Sequence, residues 1–302
     1  PIVAPGFFYC QVSKYLKDVR KPFIYAMISA MSIDRIRPKK SLGQHFLLDK
    51  NIIEKIIDVA HIMPGDTVVE IGPGRGSMTN RLAEVSGQVI AIELDNRLFT
   101  YLKEDLKGIT NLELIHEDAL GFAYEEIPGE FKVVANLPYY ISTPMIFRLM
   151  EVKEKITSMT IMLQKEVAER IIAAPGTKEY GVLSISVGYH CHPRIEFYVS
   201  RNSFSPKPNV DSAVLTLLSR KAPRVPVNDL SLFFRTVRAS FSSRRKVLKN
   251  ALRVLGFSDE MIGLALEKSG IDPKRRGETL TIEEFAGLSD TIFDMSRMGM
   301  IK

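Results

Sequence analysis

The chain has 302 residues, 45% hydrophobic and 25% charged, enough for one large domain, or one plus a smaller one, around a real core. No apolar run approaches the ~20 residues of a membrane-spanning helix, and the two cysteines, Cys10 and Cys191, lack CxxC spacing, which argues against a membrane partner, a disulfide framework or a zinc module and fits a reducing cytoplasm. A formal net charge of +6, with a pI near 9.2, leans toward an acidic partner such as nucleic acid, although so modest an excess also serves solubility alone.

Residues 1–36 open at Pro1 and mix Lys and Arg with aromatics, with Met27 and Met31 as candidate natural starts and no secretory cleavage pattern. They read as an extension of unknown role. From Thr67 onward, strand-like and helix-like segments alternate. Thr67–Ile71, Gln88–Glu93, Leu112–Ile115, Lys132–Ala135 and Met159–Leu163 are short apolar runs; Ser77–Val85, Asn96–Leu106, Thr143–Met150 and Gln164–Ala173 read as helices; Ile195–Val199 and Ala213–Leu218 read as later strands. Short buried runs alternating with helices predict an α/β fold, a mainly parallel sheet covered on both faces.

Both periodicities break at Arg220–Asn228, in Lys-Ala-Pro-Arg-Val-Pro. Beyond it everything reads as helix. Leu230, Phe233, Phe234, Val237 and Phe241 recur at helical spacing, as do Val247, Leu248, Ala251, Leu252 and Leu255, with Ser242-Ser243 as a candidate kink between the two sets. Thr281 and Glu284 form a candidate capping box, and Leu280 and Phe285 a candidate hydrophobic staple. The expected organisation is an extension over 1–36, an α/β domain over 37–222 and a small all-helical domain over 223–302.

The strongest local feature is Val68-Val69-Glu70-Ile71-Gly72-Pro73-Gly74-Arg75-Gly76, a buried strand running into a glycine-rich turn and a helix. Such glycines let the backbone turn sharply and approach a ligand. Glu93, about 20 residues on, ends the second strand, where a carboxylate can accept from both ribose hydroxyls. Dinucleotide sites favour G-x-G-x-x-G with a diphosphate at the helix N-terminus. Here the spacing is G-x-G-x-G, and Glu70 is poor company for a diphosphate but suits a cofactor with a cationic amino-acid end, such as S-adenosylmethionine. Spacing alone leaves open a dinucleotide, or a purely structural turn. Asp118 follows the third strand and can accept from an adenine amine or serve as a helix N-cap.

Asn136-Leu137-Pro138-Tyr139 follows the fourth strand. Ligands of open parallel sheets sit beyond the carboxyl ends of the strands. An aromatic amine is a weak nucleophile because its lone pair is delocalised into the ring; acceptors aimed at its N–H groups localise that pair. The Asn136 side-chain oxygen and the Leu137 carbonyl are candidates, with Pro138 biasing Leu137 toward an extended conformation that aims the carbonyl. Tyr139 offers a flat face to a base, worth ~1–3 kcal/mol by stacking. Methyl transfer from a sulfonium is an in-line displacement in which positioning supplies most of the catalysis. By itself the motif also fits an ordinary strand-ending turn. Phe204, on the proline-rich loop Asn202–Pro208, is either the cover for the second face of the base or a core anchor for its loop. The five histidines form no HExxH pattern; His190 and His192 alternate within an apolar segment and read as structural or surface residues, so no metal site is expected.

Taken in order, these motifs closely resemble the KsgA family of small-subunit rRNA adenine dimethyltransferases, over about Arg37 to Phe285. The resemblance includes Lys40-Ser41-Leu42-Gly43-Gln44-His45-Phe46-Leu47, Leu163-Gln164-Lys165-Glu166-Val167-Ala168 and Phe204-Ser205-Pro206-Lys207-Pro208-Asn209-Val210-Asp211-Ser212-Ala213. It implies a Rossmann-like class I methyltransferase domain followed by a small helical domain. It implies dimethylation of two adjacent adenosines in the 3′-terminal hairpin of small-subunit rRNA, late in ribosome assembly, by a monomer using S-adenosylmethionine. Gln44, His45, Leu47, Glu70, Gly72, Gly74, Glu93, Asp118 and Asn136 are the cofactor-binding candidates, and Asn136, Leu137, Pro138, Tyr139 and Phe204 the target-pocket candidates. His45 stands where many members have Asn, and Tyr140 where some have Asn.

Arg235, Arg238, Arg244, Arg245, Lys246, Lys249 and Arg253 crowd what reads as one long helical segment, with Lys274, Arg275 and Arg276 as a second cluster. Arg244, Arg245, Lys246 and Lys249 are the RNA-binding candidates, weighed against a merely solvated helix face. Two other functions remain on this reading: methylation of large-subunit rRNA by the related antibiotic-resistance enzymes, and a non-catalytic assembly or transcription factor on the same fold. Intact Asn136 and Tyr139 argue against the second. A DNA adenine methyltransferase more often carries Asp-Pro-Pro-Tyr.

Overall fold

A strand buried on both faces needs no polar alternation, and short β-branched runs separated by helices therefore assemble as a parallel sheet. In the computed structural model, which describes residues 37–39, 42–243 and 245–298, the chain does this with a helix packed after most strands. The elements are β1 (Phe46–Leu47), α1 (Lys50–Ala60), β2 (Thr67–Ile71), α2 (Ser77–Val85), β3 (Gln88–Glu93), α3 (Asn96–Asp105), β4 (Leu112–His116), β5 (Phe131–Asn136), α4 (Ser142–Glu151), β6 (Ile156–Gln164) and α5 (Lys165–Ile172). After them come α6 (Val182–His190), β7 (Cys191–Val199), β8 (Phe204–Ser205) and β9 (Ser212–Ser219), then the helices α7 (Leu230–Ser240), α8 (Leu248–Leu252), α9 (Asp259–Lys268) and α10 (Ile282–Arg297). The expectations for residues 1–36, Cys10 among them, and for Arg244 lie outside the described residues.

The seven-stranded sheet runs β4-β3-β2-β5-β6-β9-β7. Strands β2 to β6 are mutually parallel, and β9 enters antiparallel between β6 and β7. Strand order reverses direction at β2, since β3 lies on one side of it and β5 on the other. A crevice opens at such a switch point, beyond the carboxyl ends of the two strands. Here those ends are Ile71 and Asn136, which places the glycine turn beside the Asn-Leu-Pro-Tyr turn. This is the Rossmann-like class I methyltransferase architecture with helices following it.

Two helices were not legible in the sequence pattern. Helix α1 starts at Asp49, whose carboxylate accepts from Asn51 N at 2.9 Å, and buries Ile53, Ile56, Ile57 and Ala60. Helix α6 is buried from Leu183 to His190, so it has no polar face and no amphipathic period to read. One side of it, Leu183 and Val187, packs into the core under the sheet; the other, Ile185 and Tyr189, packs with Phe233, Val237 and Phe285 of the C-terminal helices. The helical region thus rests on the sheet through a shared helix. Backbone and ionic contacts add to it: Gly176 N donates to Glu278 O at 2.7 Å, and Arg224 meets Glu283 at 2.7 Å.

Two details differ from expectation. His190 and His192 do not share one segment: His190 ends α6, buried, and burial pushes its imidazole down to about 4, while His192 is exposed on β7. At Ser242-Ser243 the chain does more than kink, because α7 ends at Ser240 and α8 begins only at Leu248. The basic residues between them therefore occupy a loop as well as two helices. The final helix starts as its sequence suggests: Glu284 N donates to Thr281 Oγ1 at 3.1 Å, Thr281 N donates to Glu284 Oε2 at 2.8 Å, and Leu280 and Phe285 are both fully buried in one cluster.

Candidate active site

The turn after β2 is built from glycines in the left-handed region, with φ of 71° at Gly72, 59° at Gly74 and 80° at Gly76. At Gly74 and Gly76 space favours glycine as well. A Cβ at Gly74 would stand 3.3 Å from Phe46 Cδ1, and one at Gly76 2.8 Å from Leu102 Cδ2. The turn presents its backbone to Glu93 at the end of β3: Gly74 N donates to Glu93 Oε2 at 3.3 Å, and Asp95 N to Glu93 Oε1 at 2.8 Å. Burial raises the Glu93 carboxyl, and these backbone donors oppose the shift.

Glu70 is wholly buried on β2 and lines the same cleft, yet neither of its carboxylate oxygens lies within hydrogen-bonding geometry of a partner among the described residues. Burial pushes its carboxyl up to about 8; the nearby Thr79 hydroxyl pulls the other way and the Glu93 charge adds to the rise. A carboxyl kept this way has strong unmet capacity for a cation.

On the other side of the switch point, Asn136 ends β5. Its Nδ2 donates to the His45 carbonyl at 3.4 Å, which orients the amide, and its Oδ1 has no protein donor among the described residues. Leu137 N donates to Met162 O at 3.0 Å, tying the turn to β6. Tyr139 is half-buried: its hydroxyl meets Ser212 Oγ at 2.9 Å, and its ring stacks on His45 with centroids 5.5 Å apart. His45 in turn sits 2.6 Å from Pro206 O through Nδ1, so this side chain is engaged within the protein. Phe204 is buried in the cluster that includes α1, and Leu47 pairs with it across the β1–β8 ladder; it also lines the cleft, so it serves as core anchor and wall at once. Asp118 caps no helix. It is exposed, and its carboxylate accepts from Leu120 N at 3.0 Å in the turn after β4.

All the cofactor and target-pocket candidates line one cleft, from Gln44 and Leu47 through Gly72 and Glu93 to Pro138 and Phe204. The space between its walls is about 1120 Å³, open solvent at its mouth included. A family model described as "Ribosomal RNA adenine dimethylase" matches residues 35–294. The chain belongs to the ribosomal RNA adenine dimethylase family. A relative from Clostridium botulinum (strain Okra / Type B1), named ribosomal RNA small subunit methyltransferase A, is 51% identical over 259 residues, 85% of this chain and 94% of its own. Among solved structures, a dimethyladenosine transferase from Plasmodium falciparum superposes with a TM-score of 0.73 at 28% identity, covering 84% of this chain and 98% of its own. The 23S rRNA methyltransferase ErmE superposes with 0.64 at 26%, covering 82% and 99%. Membership makes this family protein a methyltransferase of the adenine-dimethylating class.

Asp95, which the sequence reading passed over, organises the edge of the cleft in this dimethylase-family chain. Its buried carboxylate takes Arg97 Nη2 at 2.6 Å, Gln44 Nε2 at 3.1 Å and Lys39 Nζ at 3.3 Å, while its own N–H holds Glu93. Arg97 and its other donors hold this carboxyl far below the usual carboxylate range. Gln44 is thereby fixed by Asp95 and by Lys39 N, which donates to its Oε1 at 2.8 Å. The only local sign was an N-cap aspartate before α3; the partners at 37–44 lie more than fifty residues away. Asp95→Ala is expected to loosen this segment and weaken cofactor binding about tenfold, a positioning effect of the kind lost with outer-shell partners. Equilibrium dialysis measures it, and limited proteolysis at Arg37 and Lys39 should accelerate in the same variant.

The basic candidates lie off the cleft. Arg245 and Lys246 are exposed in the α7–α8 loop, and Lys249 lies on α8, its Nζ next to Gly263 of α9. Arg253 is engaged by Asp259 at 2.5 Å and Arg275 by Glu284 at 2.5 Å, so the two clusters are partly neutralised by their own neighbours.

Proposed function

We propose that this protein dimethylates N6 of two adjacent adenosines in the 3′-terminal hairpin of small-subunit (16S-type) rRNA, with S-adenosylmethionine as methyl donor, late in ribosome assembly. The observation that carries the adenine reading is the oriented Asn136 amide, with Nδ2 held by the His45 carbonyl, beside the ring of Tyr139. The small-subunit assignment is supported by the relative that is 51% identical and named for that substrate.

The residues present fit the donor. Two unpartnered, buried Glu70 oxygens suit its cationic amino-acid end and would repel a diphosphate. Glu93 would take the ribose hydroxyls and Asp118 the adenine amine, with Gln44, His45, Leu47, Gly72, Gly74 and Asn136 completing the enclosure. Bound there, S-adenosylmethionine supplies an electrophilic methyl group. Asn136 Oδ1 and the Leu137 carbonyl accept from the target amine and localise its lone pair toward that methyl. Tyr139 stacks on one face of the base and Phe204 closes the other. Holding the nitrogen in line is the main catalytic contribution, and the product proton leaves to solvent, so no strong base is needed.

Residues 37–222 would be the methyltransferase domain and 223–302 the RNA-contacting domain of a cytoplasmic monomer acting on a 30S-type assembly intermediate. Arg245, Lys246 and Lys249 are assigned to rRNA phosphates, as is Arg244, which lies outside the described residues. Replacing Arg245 and Lys246 together by Ala should flatten the slope of log affinity against log salt by about 1.4–1.8, two phosphate contacts' worth. Filter binding to small subunits at several salt concentrations measures that slope. For the site of modification, primer extension on small subunits methylated in vitro should stop at two adjacent adenosines of the 3′-terminal hairpin. Stops elsewhere, or on large-subunit rRNA, would refute the substrate assignment.

A further inference from the structure

Two consecutive tyrosines end the Asn136–Tyr140 segment, and the fold sends them to different halves of the cleft. Tyr139 reaches Ser212 on β9, with Asp211 as the nearby charge. Tyr140 faces the other way. Its phenol is raised by partial burial and then by the charges of Asp118 and Glu93, the two carboxylates assigned above to the adenosine part of the cofactor. The turn that divides them is fixed at its base: Ile141 N and Ser142 Oγ both donate to Pro138 O, at 3.1 and 3.2 Å.

Tyr140 lines the cleft but is 52% exposed, so one side of the ring is covered and the other is open to solvent. The covered side rests on Gly43. That residue has φ 54°, and a Cβ there would stand 3.3 Å from Tyr140 Cδ1. A glycine at this position lets a flat ring lie on bare backbone. An exposed tyrosine parked beside a ligand cavity, at an edge set by Gly43, Glu93 and Asp118, is placed to cover what those carboxylates bind.

We propose that Tyr140 is a lid residue of the cofactor site: its ring, seated on the Gly43 backbone, covers the adenosine half of S-adenosylmethionine and slows its release. This rests on the cofactor reading above. The chain contains no tryptophan, so Tyr140→Trp installs a sole emitter at the lid. The test uses the full chain. S-adenosylmethionine binding is measured by equilibrium dialysis for wild type, Tyr140→Ala and Tyr140→Phe, and tryptophan emission is followed in Tyr140→Trp as cofactor is added. Tyr140→Ala should raise the cofactor Kd about tenfold, the loss of one stacked face, with KM for small subunits unchanged. Tyr140→Phe should stay within about twofold of wild type, because the face and not the hydroxyl does the covering. Emission from Tyr140→Trp should change and saturate with cofactor. An unchanged Kd in Tyr140→Ala with unmoved emission overturns the proposal. So does a rise confined to KM for small subunits, which would assign the ring to RNA. If wild type itself binds no S-adenosylmethionine, the cofactor reading falls and the lid with it; if wild type binds and only the lid variants behave as wild type, the lid alone falls.

Discussion

Asn136→Ala should lower methyl transfer about 10²–10³-fold, the range seen when one fixed polar partner of a reacting group is removed. The loss should fall mainly on kcat. The Asn136 amide is held by the His45 carbonyl at 3.4 Å, and Leu137 is held to Met162 at 3.0 Å, so both acceptors are set before substrate arrives. Alanine removes the acceptor and leaves the turn, because Pro138 and the Leu137–Met162 bond remain. Stopped single-turnover assays separate this from binding: small-subunit affinity should hold while the chemical step slows. A variant that loses binding and keeps its single-turnover rate would show Asn136 to be a docking residue and not an acceptor in the reaction.

The second large effect is expected at Glu70, and it has two opposite signs. Burial raises this carboxyl to about 8, against 4.5 for an unperturbed glutamate. The folded chain therefore keeps a proton that the unfolded chain releases across that window. Stability attributable to Glu70 falls as pH rises from 4.5 to about 8 and is then lower by on the order of 5 kcal/mol, whereas below the window both states are protonated and nothing is lost. Glu70→Gln removes the ionisation. Its melting temperature should exceed that of wild type at pH 8 and nearly match it at pH 5. The same variant should bind S-adenosylmethionine at least tenfold more weakly, since a neutral amide cannot balance a cation. A residue kept for packing alone would not gain stability while losing ligand. If Glu70→Gln melts with wild type at pH 8 and binds the cofactor equally well, the cation-holding role is wrong.

Much of the cleft was legible because its parts are local. A glycine turn after a β-branched strand, a carboxylate at the end of the next strand and Asn-Leu-Pro-Tyr at the end of another are each written in consecutive residues, and the switch point gathers them. Thr281 and Glu284 were legible for the same reason, as their bond spans three residues. What depended on distant partners was not. Asp95 draws its meaning from Lys39 and Gln44, and Tyr140 from Gly43, Glu93 and Asp118. Helix α6 escaped notice because both its faces are buried, one by the sheet and one by the C-terminal helices, which erases the polar stripe that marks a helix. The basic stretch looked like one helical face because charge is visible in sequence and ion pairing is not: the loop after Ser240 divides it, and Asp259 neutralises Arg253.

The most direct measurement is nucleoside mass spectrometry of rRNA from under-methylated small subunits incubated with the protein and labelled S-adenosylmethionine, with Asn136→Ala in parallel. The expected result is labelled N6,N6-dimethyladenosine in the small-subunit RNA with wild type and almost none with Asn136→Ala. Cofactor and subunit binding without any labelled adenosine would contradict methyl transfer as the function and leave a non-catalytic assembly factor in its place.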